Sequence, residues 1–477
     1  MSLKRNFVYN SILTVSTYFF PLLVYPYVSR TLGLSNIGIV NFIDNFINYF
    51  VLFSTMGIMT VGVREIAVAK NDRENLSRTY ISLLTLTTLT TLIAIIALWI
   101  AMYSVPTLFP YRDLLYVGIV KLVFNLFLVE WFFMGMENFK YITNRSILVK
   151  CLYVAGVFLF VKDASDYKIY YMLSVATVVV NAVINIIYSR KFVSYSLKSI
   201  DFHPFLRAFF IMGIYVLFTN VYTSLNVVWL GFVTDTDQVG YFTTATKLHT
   251  IIMAVLLSFT NILFPRVSNL LAERKEGEYW EKIDMSFEAI FLFAFPTIFF
   301  LLVAGPQLLH LFVGDGFEGS YLPLRIITLL VLIIGIEQIL VIQILMAKHQ
   351  DKTVLKNSFL GAVVALLFNI ILTTKLGAVG SAIVWVIAEF FIMLVSMSVI
   401  YRKFHYLIPY KRMVAYVVSY LPLLLLSLLI CHFVDDEIML LGILAIFTFA
   451  YAVLNEVFIL KNKVARQFSQ YIHLTNS

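Results

Sequence analysis

Arg30-Thr-Leu-Gly-Leu-Ser-Asn-Ile-Gly38-Ile-Val-Asn-Phe-Ile-Asp44 sits between two long apolar runs, and a second stretch, Gly231-Phe-Val-Thr-Asp-Thr-Asp-Gln-Val-Gly240-Tyr-Phe-Thr-Thr-Ala-Thr-Lys247, is built in the same way. Each follows an apolar run, makes a short polar turn, restarts at a Val/Ile-Gly step, and sets a charge about two helical turns into the next apolar run. A helix surrounded by hydrocarbon carries Asp44 or Lys247 only if that charge faces something polar. Two such hairpins in corresponding places of two halves predict a duplicated carrier with a hydrated centre.

Composition agrees. The 477 residues are 61% hydrophobic and 13% charged, with mean hydropathy +0.89, outside the range of soluble domains. Apolar runs of about 20 residues, the length a bilayer helix needs, recur along the chain. The expectation is an all-α polytopic membrane protein with fourteen transmembrane helices, at roughly 7–29, 39–62, 79–103, 114–135, 142–161, 169–188, 206–231, 239–264, 285–304, 322–346, 354–373, 378–400, 412–431 and 438–460. The first run follows Lys4-Arg5, exceeds a signal h-region and lacks a cleavage site, so it reads as a helix. With the N-terminus inside, 27 of the 35 basic residues fall in inner loops. The outer side holds Arg30, Arg112, Lys162, Lys168 and Lys375, and Lys121, Lys247 and Arg325 lie within spans. This asymmetry predicts cytoplasmic N- and C-termini. It also accounts for the net charge of +8 through topology and anionic lipid, without a nucleic-acid partner. Cys151 and Cys431 are expected neither to pair nor to bind metal.

Gly135-Met-Glu-Asn-Phe-Lys140 after the fourth span and Ala347-Lys-His-Gln-Asp-Lys352 after the tenth extend the internal resemblance. Residues 1–200 and 201–404 therefore read as two six-helix bundles related by a pseudo-two-fold along the membrane normal. Residues 405–477 add two transmembrane helices and a cytoplasmic tail. Residues 63–78 read as a short surface helix, and 305–323 as the one substantial outer loop. Pro21 and Pro26 are expected to kink the first span. Its amides and hydroxyls, with those of spans 2 and 7 and the rings Tyr18, Tyr25, Tyr27, Tyr215 and Tyr222, fit a wet interior.

Each ion at the centre of an isolated membrane helix costs about 2.5–3.5 kcal/mol, so depth separates the charges. Glu288 and Glu456 lie near the inner boundary and read as interfacially solvated. Glu130 lies near the inner end beside Trp131, a candidate interface anchor, and Arg325 near the outer boundary. Asp44, Lys121 and Lys247 are deeper, and Glu337 and Glu389 are near mid-membrane. A buried pair that only fixes helix register is the alternative for all five. His249 reads as a satisfied packing histidine. Arg30, at the outer rim, is either a headgroup contact or a guanidinium clamp on phosphate. No Walker loop, His-Glu-x-x-His or soluble acid pair occurs, so the expectation is a secondary, ion-coupled carrier and no enzyme.

The chain resembles the polysaccharide flippase (Wzx-type) family of the multidrug/oligosaccharidyl-lipid/polysaccharide exporter superfamily. The resemblance rests on Asn6 and Asn10, Arg30-Thr-Leu-Gly33 with Ile37-Gly38, Arg64-Glu65, Glu130-Trp131-Phe-Phe-Met-Gly135-Met-Glu137, and Tyr141-Ile-Thr-x-Arg145-Ser146. The second half adds Gly240-Tyr241, Ala245-Thr-Lys247, Phe264-Pro265-Arg266-Val-Ser268 and Leu376-Gly377-Ala-Val-Gly380 with Glu389. It implies two six-helix bundles around a cavity in a bacterial plasma (inner) membrane. It also implies movement of an undecaprenyl-diphosphate-linked oligosaccharide from the inner to the outer leaflet by alternating access, for O-antigen or capsule assembly. On that reading Arg30, Lys121, Lys247 and Arg325 neutralise the diphosphate, while Asp44, Glu130, Glu337 and Glu389 are lumenal or ion-coupling carboxylates. A proton or sodium gradient supplies the drive, with no cofactor and no metal site. The partners are the lipid-linked glycan, membrane lipid and a polysaccharide polymerase. A peptidoglycan lipid-linked precursor flippase, a multidrug/cation antiporter of the same superfamily, and a membrane glycosyltransferase or polymerase are the competing readings.

Overall fold

The computed structural model describes residues 3–194 and 200–465, with the side chains of 3–7, 215, 218–219, 221–224 and 258–266 outside that description. The side chains of Lys4, Arg5, Asn6, Tyr215, Tyr222, Phe264, Pro265 and Arg266, named above, therefore lie outside the described residues, as does the tail 466–477.

Helix Arg73–Ser104 shows the governing physics. Its exposed positions Leu89, Leu92, Ile93, Ile96 and Ile100 recur at three- and four-residue spacing, whereas Thr87, Thr90, Thr91 and Ala94 are buried. A helix in water arranges itself the other way round. Hydrocarbon accepts the apolar outer face, and the inward hydroxyls are satisfied on the backbone, Thr87 Oγ1 donating to Leu83 O at 2.9 Å and Thr91 Oγ1 to Thr87 O at 2.7 Å.

Among the described residues the regular structure is all helical, and eleven helices are long and apolar enough to cross a membrane. In chain order they and the shorter helices are α1 Leu3–Thr55, α2 Ile58–Ala69, α3 Arg73–Ser104, α4 Arg112–Asn125, α5 Glu130–Gly135, α6 Phe139–Phe160, α7 Tyr167–Ser189 and α8 His203–Val233. They continue with α9 Thr236–Ala272, α10 Glu276–Val313, α11 Tyr321–Ile327, α12 Leu330–Glu337, α13 Asp351–Phe368, α14 Thr374–Phe404, α15 Tyr410–Phe433 and α16 Glu437–Leu454. The 53 residues of α1 would make a rod of about 80 Å, far beyond a hydrocarbon core of about 30 Å. The rod breaks at Gly33, at φ 76° and ψ 170°, backbone that a Cβ disfavours. Pro21 and Pro26 lie inside α1, and the non-helical backbone falls beyond them at Gly33. In α14 the break falls at Gly377, φ 57°.

Two compact units form, Met1–Gly240 and Tyr241–Ser477. In the first, α1 packs on α3, α4, α6, α7 and α8, and α2 packs on α3, α5 and α8. Its core gathers Tyr80, Trp131, Phe132 and Phe133, with Tyr80 ring centroids 5.6 Å from Trp131 and 4.9 Å from Phe132. Trp131 is thus a core residue rather than an interface anchor. The segment 63–78 is no separate surface helix: α2 runs to Ala69 and Asp72 caps α3, accepting from Glu74 N at 3.0 Å. The end of α1 turns at Met56, φ 34°, and Ser54 O takes the Thr90 hydroxyl at 2.5 Å, which satisfies backbone freed by the turn. The tips of the two opening hairpins meet in this unit. A Cβ on Gly38 would stand 1.8 Å from Thr236 O, and one on Gly240 2.7 Å from Leu34 O, so both positions need glycine.

In the second unit α10 packs on α12, α15 and α16, and α14 on α11, α12 and α13. The last two helices dock on α10 through Val303, Ala304, Leu440, Leu441 and Leu444. Polar clasps flank that contact. At one end His310 bridges Glu437 at 2.6 Å and Asp315 at 2.8 Å. At the other, Arg412 Nε meets Glu288 Oε1 at 2.9 Å, and Glu456 accepts the hydroxyls of Tyr416 at 2.7 Å and Tyr420 at 2.9 Å. Glu288 and Glu456 are buried, which corrects the reading of both as interfacially solvated; α15 and the end of α16 cover them. Residues 305–323 form a smaller loop than expected, because α10 continues to Val313 and α11 starts at Tyr321.

Candidate functional site

The first unit holds a matched pair. Beyond the Gly33 break, α1 carries Asp44 and Asn48 one turn apart, and α4 brings Lys121 against both. Lys121 Nζ donates to Asp44 Oδ1 at 2.6 Å and to Asn48 Oδ1 at 2.8 Å, and Asn48 Nδ2 returns a bond to Asp44 Oδ2 at 3.3 Å. The approach of α1 to α4 and α7 depends on Gly118, where a Cβ would fall 2.5 Å from Ile47 and 3.3 Å from the Tyr171 hydroxyl. Tyr153 and Tyr170 bond to each other within the field of Asp44, and the buried Tyr171 hydroxyl has no partner among the described residues. A half-buried ammonium, its compensating carboxylate and a group of phenols therefore converge. Asp44 and Lys121, read above either as separate ligands or as members of a buried pair, form one ion pair.

Glu130 opens α5 just after Val129 in left-handed backbone, φ 38°. It accepts from Arg145 Nη2 at 2.6 Å, and the Arg145 side chain is only 3% exposed. Arg145 also bonds Asn185, which takes the Tyr141 hydroxyl at 2.8 Å. This network ties α5, α6 and α7 together, and the arginine was visible in the Tyr141-to-Ser146 motif.

The second unit holds like groups. Glu337 ends α12 where the helix passes into the π-helical stretch Gln338–Met346, and such stretches recur at functional sites. Glu389, from the middle of α14, is hydrogen-bonded to it side chain to side chain. Both are buried, Glu389 to 4% exposure. Trp385 Nε1 donates to Glu389 Oε1 at 3.1 Å. His249 of α9 meets Trp385 edge to face, ring centroids 5.4 Å apart, and its buried Nε2 has no partner among the described residues. The expectation of a satisfied histidine is therefore wrong. Trp385, one helical turn before Glu389, went unnoticed although the i, i+4 spacing was there to read.

Arg30, Lys247 and Arg325 are exposed, at the Gly33 side of α1, within α9 and in the last turn of α11. Among the described residues no three His, Cys, Asp or Glu side chains converge to hold a metal ion.

The family described as polysaccharide biosynthesis protein matches residues 3–271, more than half the chain. Over 402 residues the chain is 26% identical to a protein of Escherichia coli (strain K12) named as an O-antigen transporter, covering 82% of this chain and 94% of that one. Among solved structures it is similar to the lipid II flippase MurJ in an inward closed conformation, with TM-score 0.79 at 16% identity, covering 94% of this chain and 98% of the other. It is also similar to an inward-facing multidrug resistance MATE family transporter of the MOP superfamily, with TM-score 0.61 at 16% identity, covering 79% and 92%. At these identities the likeness to solved structures is one of fold.

Proposed function

The chain belongs to the polysaccharide biosynthesis protein family, and on that premise we propose that it flips an undecaprenyl-diphosphate-linked oligosaccharide repeat unit from the cytoplasmic to the outer leaflet of a bacterial plasma membrane, for O-antigen or capsule assembly. The carrying observation is the Lys121–Asp44 pair at 2.6 Å: a cation held inside an apolar helix bundle, with a carboxylate as its resident anion. A diphosphate offers the same oxygen chemistry with more charge. As it takes Lys121, Asp44 must be released to water or take a proton, so anion binding and ion uptake are coupled at one place. Arg30, Lys247 and Arg325 are the further candidate cations for the diphosphate, and the phenols near Asp44 offer faces and hydroxyls to sugar.

The name of the E. coli relative supports this substrate class. Counting the two kinked rods Val8–Ala69 and Asp351–Phe404 as two crossings each, and adding α8, brings the eleven candidates to fourteen. That count supports two six-helix bundles with an appended pair. The basic asymmetry of the loops supports cytoplasmic termini. Glu337 and Glu389 are the coupling carboxylates, driven by a proton or sodium gradient, and a polymerase receives the glycan. A peptidoglycan-precursor flippase would share the fold.

Deletion in a host with a defined surface glycan tests the proposal. The expected result is loss of the polymer with lipid-linked repeat units accumulating on the cytoplasmic side; normal surface display would contradict it. Lys247→Ala is expected to abolish export at normal protein level, and wild-type export would remove that residue from the path.

A further inference from the structure

Four side chains of the second unit have a purpose that helix packing does not supply. Glu337 and Glu389 share a side-chain hydrogen bond, and a carboxyl-to-carboxyl bond needs a proton on one of the two. Two bare carboxylates in contact and out of water repel too strongly to persist. Trp385 Nε1 donates to one oxygen of Glu389 at 3.1 Å. The opposite edge of this arrangement is His249, 2% exposed, with its ring against Trp385 and an unpartnered Nε2. A buried polar atom without a partner is destabilising by about 1–3 kcal/mol, so its retention calls for an occupant.

We propose that Glu337, Glu389 and His249 form a proton-transfer site, with Trp385 as the gate between the carboxyl pair and the imidazole. This deepens the transport reading and rests on it, naming the coupling ion as a proton and adding two residues to the site. With both carboxyls protonated the set is neutral. When the proton of Glu389 moves to His249 Nε2, the pair carries one negative charge and the imidazolium one positive charge, so the buried set remains neutral throughout. The indole N–H occupies Glu389 Oε1 while the ring edge lies on His249. Movement of Trp385 would break its bond to Glu389 and its ring contact with His249 together. The titratable groups facing the site are Glu337 from α12, Glu389 from α14 and His249 from α9, with Lys247 two residues earlier on the exposed side of α9. Trp385 is a positioning residue: it holds an acceptor and carries no proton itself.

Infrared difference spectroscopy of the purified full chain in lipid nanodiscs reads this without any substrate. The wild type is expected to show the C=O band of a buried protonated carboxyl at neutral pH, shifted in heavy water. Glu337→Gln and Glu389→Gln each shift and weaken it, the double glutamine variant removes it, Trp385→Phe moves its frequency, and His249→Gln shifts the pH at which it disappears. Glu456→Gln identifies the separate band of the α15–α16 clasp. Absence of the band in wild type, or its survival in the double glutamine variant, overturns the proposal. In liposomes carrying a lipid-linked diphospho-oligosaccharide, a proton gradient is expected to accelerate flipping, and Glu337→Gln to reduce that acceleration at least about tenfold. Flipping driven by sodium and indifferent to protons overturns the proton site and leaves the flippase reading intact. No flipping under any gradient, with the carboxyl band present, overturns the flippase reading and leaves the proton site standing.

Discussion

The two units keep ionisable groups out of water by opposite means. Asp44 and Lys121 are unlike charges and need nothing else to be neutral as a pair. Glu337 and Glu389 are like groups and are neutral only with protons. The first arrangement responds to a competing anion, because a better anion can take the lysine. The second responds to the proton supply. The proposed carrier of an anionic lipid headgroup, driven by an ion gradient, would use both responses; the two pairs lie in separate compact units.

The largest expected effect comes from breaking the matched pair. Lys121→Met leaves Asp44 uncompensated, and removing one partner of a buried pair costs about 3–5 kcal/mol; partial exposure places this one at the lower end. Thermal unfolding in detergent should drop and export should fail. The double variant Lys121→Met/Asp44→Asn should recover most of the stability and none of the export. Recovery of both would reduce the pair to a packing device.

Wedging the hairpin tips comes next. Gly38→Leu forces atoms into the 1.8 Å gap against Thr236 O, with an expected overpacking cost of about 1–3 kcal/mol and loss of export. Unchanged melting would show that the tips part freely. Smaller again is Tyr420→Phe, which takes one of two hydroxyls from Glu456 and should cost about 1–2 kcal/mol while export continues. Loss of export at full stability would move the appended helices into the transport path.

Least of all is the exposed pair Lys70–Glu137, 2.8 Å apart. Lys70 holds the Glu137 carboxyl below its ordinary range. The small stabilisation is therefore present at neutral pH and fades as pH falls through that range. Lys70→Ala should leave the melting temperature at pH 7 unchanged, since such surface pairs contribute little.

Apolar runs and embedded charges made the helical membrane fold legible, because hydrocarbon tolerates few exceptions. Partner choice was harder to read. Asp44 and Lys121 are 77 residues apart, and the packing of α1 on α4 brings them together. Glu456 looked solvated because its depth was measured along its own helix, while α15 supplies Tyr416 and Tyr420 across it. Pro21 and Pro26 drew the eye in the first span, whereas the non-helical backbone falls at Gly33 in positive φ. His249 reads as an ordinary packing residue from its own helix alone, because Trp385 reaches it from α14.

The most direct measurement is leaflet-resolved movement of an undecaprenyl-diphosphate-linked oligosaccharide in proteoliposomes, comparing the wild type with Lys121→Met/Asp44→Asn. The account predicts that the wild type carries the lipid across and that the folded double variant leaves it on the side where it was loaded. Equal rates for the two proteins, or no movement by the wild type, would contradict it.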